Sequence, residues 1–287
     1  MLDNFVLKKI TNYLDLIRFD KPIGFLLLMW PSWFALSLLK SKNTSIFFWY
    51  FIFFIGSFLM RSAGCIINDI VDRKIDIKIK RTEERPLASN KISITESLIF
   101  LSILLLLSFL ILIQFNYISI IVALLIMPLV ILYPYMKRIT HWPQLILGLV
   151  FSWGIIIVSL EFNQVITLNY GLLYIGCIFW TMGYDTIYAY QDLNDDLKNN
   201  IKSTAVFFNK KGKLFVSICY ILMFIIFGYI GWKSSNSLVS LIVIATIAIC
   251  TYIAIQKWDI NSSKSSNFYF RQNNILAFML FLYLLIF

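Results

Sequence analysis

The sequence predicts an all-α integral membrane protein, with nine transmembrane helices around a central cavity. Three observations predict it. The 287 residues are 60% hydrophobic and only 14% charged, with a mean hydropathy of +0.79, whereas soluble domains carry roughly 25% charged residues. Apolar stretches near the ~20 residues needed to cross a bilayer recur from end to end. They lack the alternation and shortness of barrel strands, and helices satisfy their own backbone hydrogen bonds in lipid. This composition excludes an ordinary cytosolic enzyme, a nucleic-acid reader and a disordered tail. The excess of 25 Lys and Arg over 15 Asp and Glu marks one membrane face rather than nucleic acid.

Residues 1–21 come first. Ile10, Tyr13, Leu14 and Ile17 recur at helical spacing with Lys8, Lys9 and Arg18 around them, the pattern of an amphipathic helix lying in the interface. No small-residue cleavage site follows a short apolar core, so the segment does not read as a signal peptide. Spans follow at 22–39, 46–67, 97–115, 117–135, 143–161, 169–188, 214–232, 237–256 and 270–287, with 261–267 read as a short loop. Of the 25 Lys and Arg, only Lys40, Lys42 and Lys233 fall in the alternate connections. Positive residues stay inside. The N-terminus and the basic loops therefore face the cytoplasm, and the C-terminus lies outside. The whole chain, 1–287, reads as one domain. A weak repeat of span, acidic face and basic loop, around 68–91 and again around 185–213, suggests two related halves. Cys65, Cys177, Cys219 and Cys250 show no metal or disulfide spacing and read as inert thiols. His141 is the only histidine, which excludes histidine triads and multi-histidine metal sites.

The acidic residues concentrate in two of the cytoplasmic connections. Asp69, Asp72 and Asp76 are spaced three and four apart, which places them on one face of a helix. Asp185, Asp192 and Asp196 follow offsets of seven and four, again one face, with Asp195 beside them. Like charges stacked on a helical face repel unless something cationic sits among them. Two such faces at the cytoplasmic ends of apolar helices suit hard divalent cations, and oxygen-only ligands suit Mg²⁺, which bridges to phosphates. Basic blocks follow each cluster: Lys78, Lys80, Arg81 and Arg85 after the first, Lys198 and Lys202 after the second. Fixed positive charge beside a metal is what a diphosphate needs, first to be held and then to leave.

Asn68-Asp69-x-x-Asp72-x-x-x-Asp76 resembles the signature of the UbiA superfamily of intramembrane prenyltransferases. Asp20-Lys21-Pro22-Ile23-Gly24 looks like that family's entry segment, and Lys80 to Leu87 its loop after the first motif. Asp192 to Ala205, ending Ile201-Lys202-Ser203-Thr204-Ala205, resembles its second aspartate motif. Tyr133-Pro134-Tyr135-Met136-Lys137-Arg138, running on to Gly148, is similar to the branch that prenylates 4-hydroxybenzoate for ubiquinone synthesis. Departures are Asn194 where many members have Asp, and Asn90 and Asn200 where many have Gly. The two glycine losses imply slightly different loop backbones.

The resemblance implies a polyprenyl diphosphate donor, 4-hydroxybenzoate as acceptor, Mg²⁺ as cofactor and the lipid bilayer as surroundings. Asp72 and Asp76, with Asp192 and Asp196, would hold Mg²⁺ against the diphosphate. Asn68, Asp69, Asp185 and Asp195 would serve as outer ligands. Lys80, Arg81, Arg85 and Lys202 would bind the diphosphate. Arg138 would pair with the acceptor carboxylate, since a planar guanidinium offers it two hydrogen bonds. Rival readings are a family member using a naphthoate, homogentisate, haem or tetrapyrrole acceptor, and a cation-coupled transporter. Transporters place acids near the midplane on broken helices, whereas these acids sit at the ends of spans.

Overall fold

The computed structural model describes residues 2–39, 46–77, 79 and 82–287. Its helices are α1 (Leu2–Leu16), α2 (Ile23–Ser37), α3 (Ile46–Asp76), α4 (Ile94–Leu112), α5 (Tyr117–Leu125), α6 (Met127–Ile139), α7 (Pro143–Phe151), α8 (Gly154–Asn163), α9 (Leu168–Ala189), α10 (Leu193–Lys198), α11 (Thr204–Phe208), α12 (Gly212–Ser235), α13 (Leu238–Lys257) and α14 (Ser263–Ile286). No strand occurs among the described residues.

Among these residues seven segments, not nine, are long and apolar enough to cross a bilayer: α3, α4, α5–α6, α7–α8, α11–α12, α13 and α14. The other two expected spans differ for physical reasons. Helix α2 has 15 residues, short of the ~20 a straight crossing takes. Helix α9 has 22 residues but carries Asn169, several tyrosines and Asp185, so its hydropathy is diluted. Three boundaries move as well. Helix α3 continues past residue 67 to Asp76. Helix α14 begins at Ser263 under a Ser262 cap, so most of 261–267 is helical rather than loop. Helix α1 stops at Leu16, and Arg18 beyond it takes a left-handed backbone, φ 59°.

Two spans are broken in the middle. Pro128 has no N–H for the Leu124 carbonyl, which takes the Ile126 N–H instead. The Val122 carbonyl left over accepts from Trp153 Nε1 at 3.0 Å. Trp153 sits at the break between α7 and α8, where the Leu149 carbonyl accepts from Tyr174 Oη at 3.1 Å. In a bilayer, backbone groups freed by a break need such partners.

Helix α9 is the axis of the bundle. Leu173, Cys177, Trp180, Thr181 and Thr186 on it are fully buried, and it packs against α7, α8, α12 and α14. Gly183 lets α12 come close: a Cβ there would lie 2.3 Å from a Tyr220 ring carbon. Asn273 of α14 ties the three helices together, its Oδ1 accepting from Trp180 Nε1 at 3.0 Å and Tyr220 Oη at 2.7 Å. By contrast α4 buries only Ser97 and Leu104. Its exposed Leu98, Ile103, Leu106 and Leu110 form a surface suited to lipid.

Candidate active site

A cavity of about 1700 Å³ opens within the bundle, walled by α2, α3, α4, the α5–α6 and α7–α8 pairs, α9, α10 and α14. Leu105, Phe109 and Leu112 of α4 and Met127 and Val130 of α6 give it an apolar side. The polar side gathers Asn68, Asp69, Asp72, Asp76, Asp185, Asp192, Asp195 and Asp196. All eight residues that the sequence assigns to metal binding therefore line one chamber.

The first acidic face is a true helical face, because α3 carries its turns through Asp76. Asp69, Asp72 and Asp76 are nearly fully buried, a costly state for carboxylates unless they are paired. The protein supplies the partners. Arg18 Nη2 donates to both oxygens of Asp69, at 2.7 and 2.8 Å. Arg85 Nη1 bridges Asp76 at 2.9 Å and Asp69 at 3.3 Å. Lys137 Nζ donates to Asp72 Oδ2, and Arg138 Nη2 to Asp72 Oδ1 at 3.3 Å. Burial works against the charge on Arg85, but the carboxylates of Asp69 and Asp76 outweigh it and hold the guanidinium above its ordinary pKa.

The second acidic face is not continuous, which corrects the expected offset of seven and four. Helix α9 ends at Ala189, and Asp192 sits outside regular helix as the N-cap residue of α10. Asp196 lies within α10, its N–H donating to the carbonyl of the capping Asp192 at 2.8 Å. Asp185 stays behind on α9, where it is an electrostatic neighbour of Arg61 together with Tyr133 and Tyr188. Its place is the inner part of the chamber.

Among the described residues no group of three carboxylates stands close enough to hold an ion unaided. The donor chemistry nonetheless fits a hard divalent ion. Both faces offer only oxygen, and Mg²⁺ is commonly held by one or two carboxylates with phosphate oxygens completing the shell. The arrangement suits an ion that arrives with a diphosphate.

The basic residues separate. Arg85 and Lys137 line the chamber; the spacing had pointed to Arg85 but passed over Lys137. Lys202 also lines it, yet its Nζ donates to the Ile139 carbonyl at 3.0 Å and its N–H to the Lys137 carbonyl at 2.8 Å, closing the end of α6. Lys80 and Arg81 lie outside the described residues. Arg138 is not among the residues lining the cavity; it donates to the Val71 carbonyl and to Asp72 and lies over the Tyr135 ring.

Arg61 does occupy the inner chamber, and the sequence reading missed it. Its Nη1 donates to Cys65 Sγ at 3.0 Å. Among the described residues neither Nε nor Nη2 has a hydrogen-bond partner, and Nε is buried. The available signal was an arginine within an apolar run, two helical turns before Asn68. Such a charge is costly in a membrane and marks function by default.

A largely apolar chamber with a charged end, enclosed by a bundle of membrane-spanning helices, marks the intramembrane enzymes as the class to compare. The chain belongs to the UbiA prenyltransferase family, whose model matches residues 28–284. It is 36% identical over 282 residues to the 4-hydroxybenzoate octaprenyltransferase of Coxiella burnetii (strain CbuK_Q154), covering 97% of each chain. It is 37% identical over 287 residues to the enzyme of that name from Blochmanniella pennsylvanica, covering 97% of this chain and 96% of the other. In fold it is similar to a UbiA homolog from Archaeoglobus fulgidus bound to DMAPP and Mg²⁺, with a TM-score of 0.72 at 18% identity over 95% and 97% of the two chains. The protein is thus a multi-pass membrane prenyltransferase.

Proposed function

We propose that the protein transfers a polyprenyl group from polyprenyl diphosphate to the ring carbon ortho to the hydroxyl of 4-hydroxybenzoate, a Mg²⁺-dependent step of ubiquinone biosynthesis. The observation that carries this reading is that two acidic clusters and an arginine with donors unpaired among the described residues open on one largely apolar chamber. Asp72 and Asp76 of α3 and Asp192 and Asp196 of α10 are the residues that would hold Mg²⁺, with Asn68, Asp69 and Asp195 around them. When bound, Mg²⁺ supplies positive charge to the diphosphate oxygens and makes the group easier to expel. Arg85 and Lys137, joined by Lys80, Arg81 and Lys202, take up the charge that develops on the departing diphosphate.

The bond between the prenyl C1 and the diphosphate oxygen breaks, and its electron pair goes to oxygen. The apolar wall from α4 and α6 keeps water from the allylic cation. The acceptor ring then donates an electron pair to C1, and its ring proton passes to the released diphosphate. Arg61, which lines the chamber where Arg138 does not, holds the acceptor carboxylate through Nη2, and Asp185 near it balances its charge when the site is empty of acceptor. The prenyl tail needs no polar partner and lies against lipid-like surface. Nine crossings, one domain, a cytoplasmic N-terminus and active-site face, and a periplasmic C-terminus complete the reading.

Purified protein incubated with polyprenyl diphosphate, Mg²⁺ and a panel of aromatic acids tests it by product mass. A prenylated 4-hydroxybenzoate that disappears with EDTA is expected. A product with homogentisate or a naphthoate and none with 4-hydroxybenzoate would overturn the assignment.

A further inference from the structure

Gly24 belongs to the Asp20–Gly24 segment, whose chemistry no step above uses, and it lies in the first turn of α2. Helix N-termini do not ask for glycine at this position; there is no positive φ here to need one, and glycine inside a helix is disfavoured against alanine. The reason lies across the cavity. A Cβ on Gly24 would stand 2.7 Å from Arg61 Nε, 3.1 Å from Nη2 and 3.3 Å from Cζ. The guanidinium rests directly on the bare backbone. On its other side Cys65, one helical turn on from Arg61, accepts the Nη1 proton at 3.0 Å. Nε is sealed from solvent by this contact. The planar group is thus held from two sides; of the two nitrogens without a hydrogen-bond partner among the described residues, Nε is buried and Nη2 is the one left to meet a ligand.

We infer that Gly24 and Cys65 are positioning residues that clamp the Arg61 guanidinium and so set the preference for an acceptor bearing a carboxylate. The inference rests on the reading of Arg61 as the carboxylate partner. A guanidinium free to swing offers its donors in many directions and loses entropy on pairing; one fixed in advance does not. The sulfur is a weak acceptor, so it fixes direction without neutralising the charge. Because the atoms a new Cβ would meet are the far end of a flexible side chain, Gly24→Ala displaces the guanidinium and leaves the backbone of α2 in place.

Steady-state kinetics of Gly24→Ala, Cys65→Ala, Cys65→Ser and Arg61→Ala, with 4-hydroxybenzoate and with neutral 4-hydroxybenzamide, test this. Gly24→Ala is expected to raise KM for 4-hydroxybenzoate about tenfold, the loss of one charge-assisted hydrogen bond. KM for the prenyl diphosphate and turnover of the amide stay at the wild-type value. Cys65→Ala shifts the same KM in the same direction by a smaller factor, and Cys65→Ser, which retains an acceptor, restores it. A structural defect would instead lower turnover of both acceptors together, and that result would overturn the inference. Unchanged KM in Gly24→Ala with a raised KM in Arg61→Ala would overturn the clamp alone. Unchanged KM in Arg61→Ala would overturn the carboxylate reading beneath it.

Discussion

Lys137 and Arg138 are neighbours in sequence yet about 100° apart around a helix, since an α-helix turns once in 3.6 residues. Lys137 therefore points into the chamber while Arg138 passes outside it, 43% exposed, to the far oxygen of Asp72. The family resemblance points to Arg138 of this pair and passes over Lys137, the member that lines the chamber. Arg138→Ala should leave KM for 4-hydroxybenzoate within about twofold, the effect of a part-exposed ion pair, whereas Arg61→Ala should raise it tenfold or more; the two variants assayed side by side decide between them. Asn90 and Asn200 show a different lesson. Both stand at left-handed positions, φ 57° and 54°, which asparagine tolerates better than most residues. The altered loop backbones expected from the missing glycines are unnecessary, because asparagine can take a conformation glycine would also take. The first acid motif was legible in full because a single unbroken helix carries it.

At the scale of elements, periodicity located the apolar helices but not their breaks. The expected face through Asp185, Asp192 and Asp196 assumed one helix, and the chain leaves helical geometry at Asp192, with φ −112° and ψ 8°. Nothing in a run of Asp, Asn and Leu announces that change. The breaks at Ile126 and Trp153 were equally silent, apart from Pro128, because their cost is met by tertiary partners far along the chain. Polar residues within spans report such tertiary demands. Asn273 accepts from two buried donors on two other helices. Asn273→Leu keeps the side-chain size but leaves Trp180 Nε1 and Tyr220 Oη unpaired. At about 1–3 kcal/mol for each buried orphan, the variant should unfold at clearly lower temperature in detergent, with α9 and α12 loosened together. A melting temperature equal to the wild type would show that the junction does not bind the bundle.

For the molecule as a whole, composition sufficed to define a helical membrane protein, and motif spacing sufficed to bring eight polar residues to one chamber. What the sequence could not supply was the internal ion pairing. Arg18, Arg85 and the neighbours Lys137 and Arg138 come from three separate segments and converge on the carboxylates of α3. These pairs let three buried acids coexist on one helix. The central claim is that α3 and α10 grip one diphosphate jointly through divalent ions. Its most direct test is Mg²⁺-dependent binding of a non-cleavable prenyl thiodiphosphate to purified wild-type, Asp72→Ala and Asp192→Ala proteins, followed by calorimetry. The account predicts tight binding only with Mg²⁺, and its loss in each single variant. Wild-type binding that is indifferent to Mg²⁺, or that survives removal of either acidic face, would contradict it.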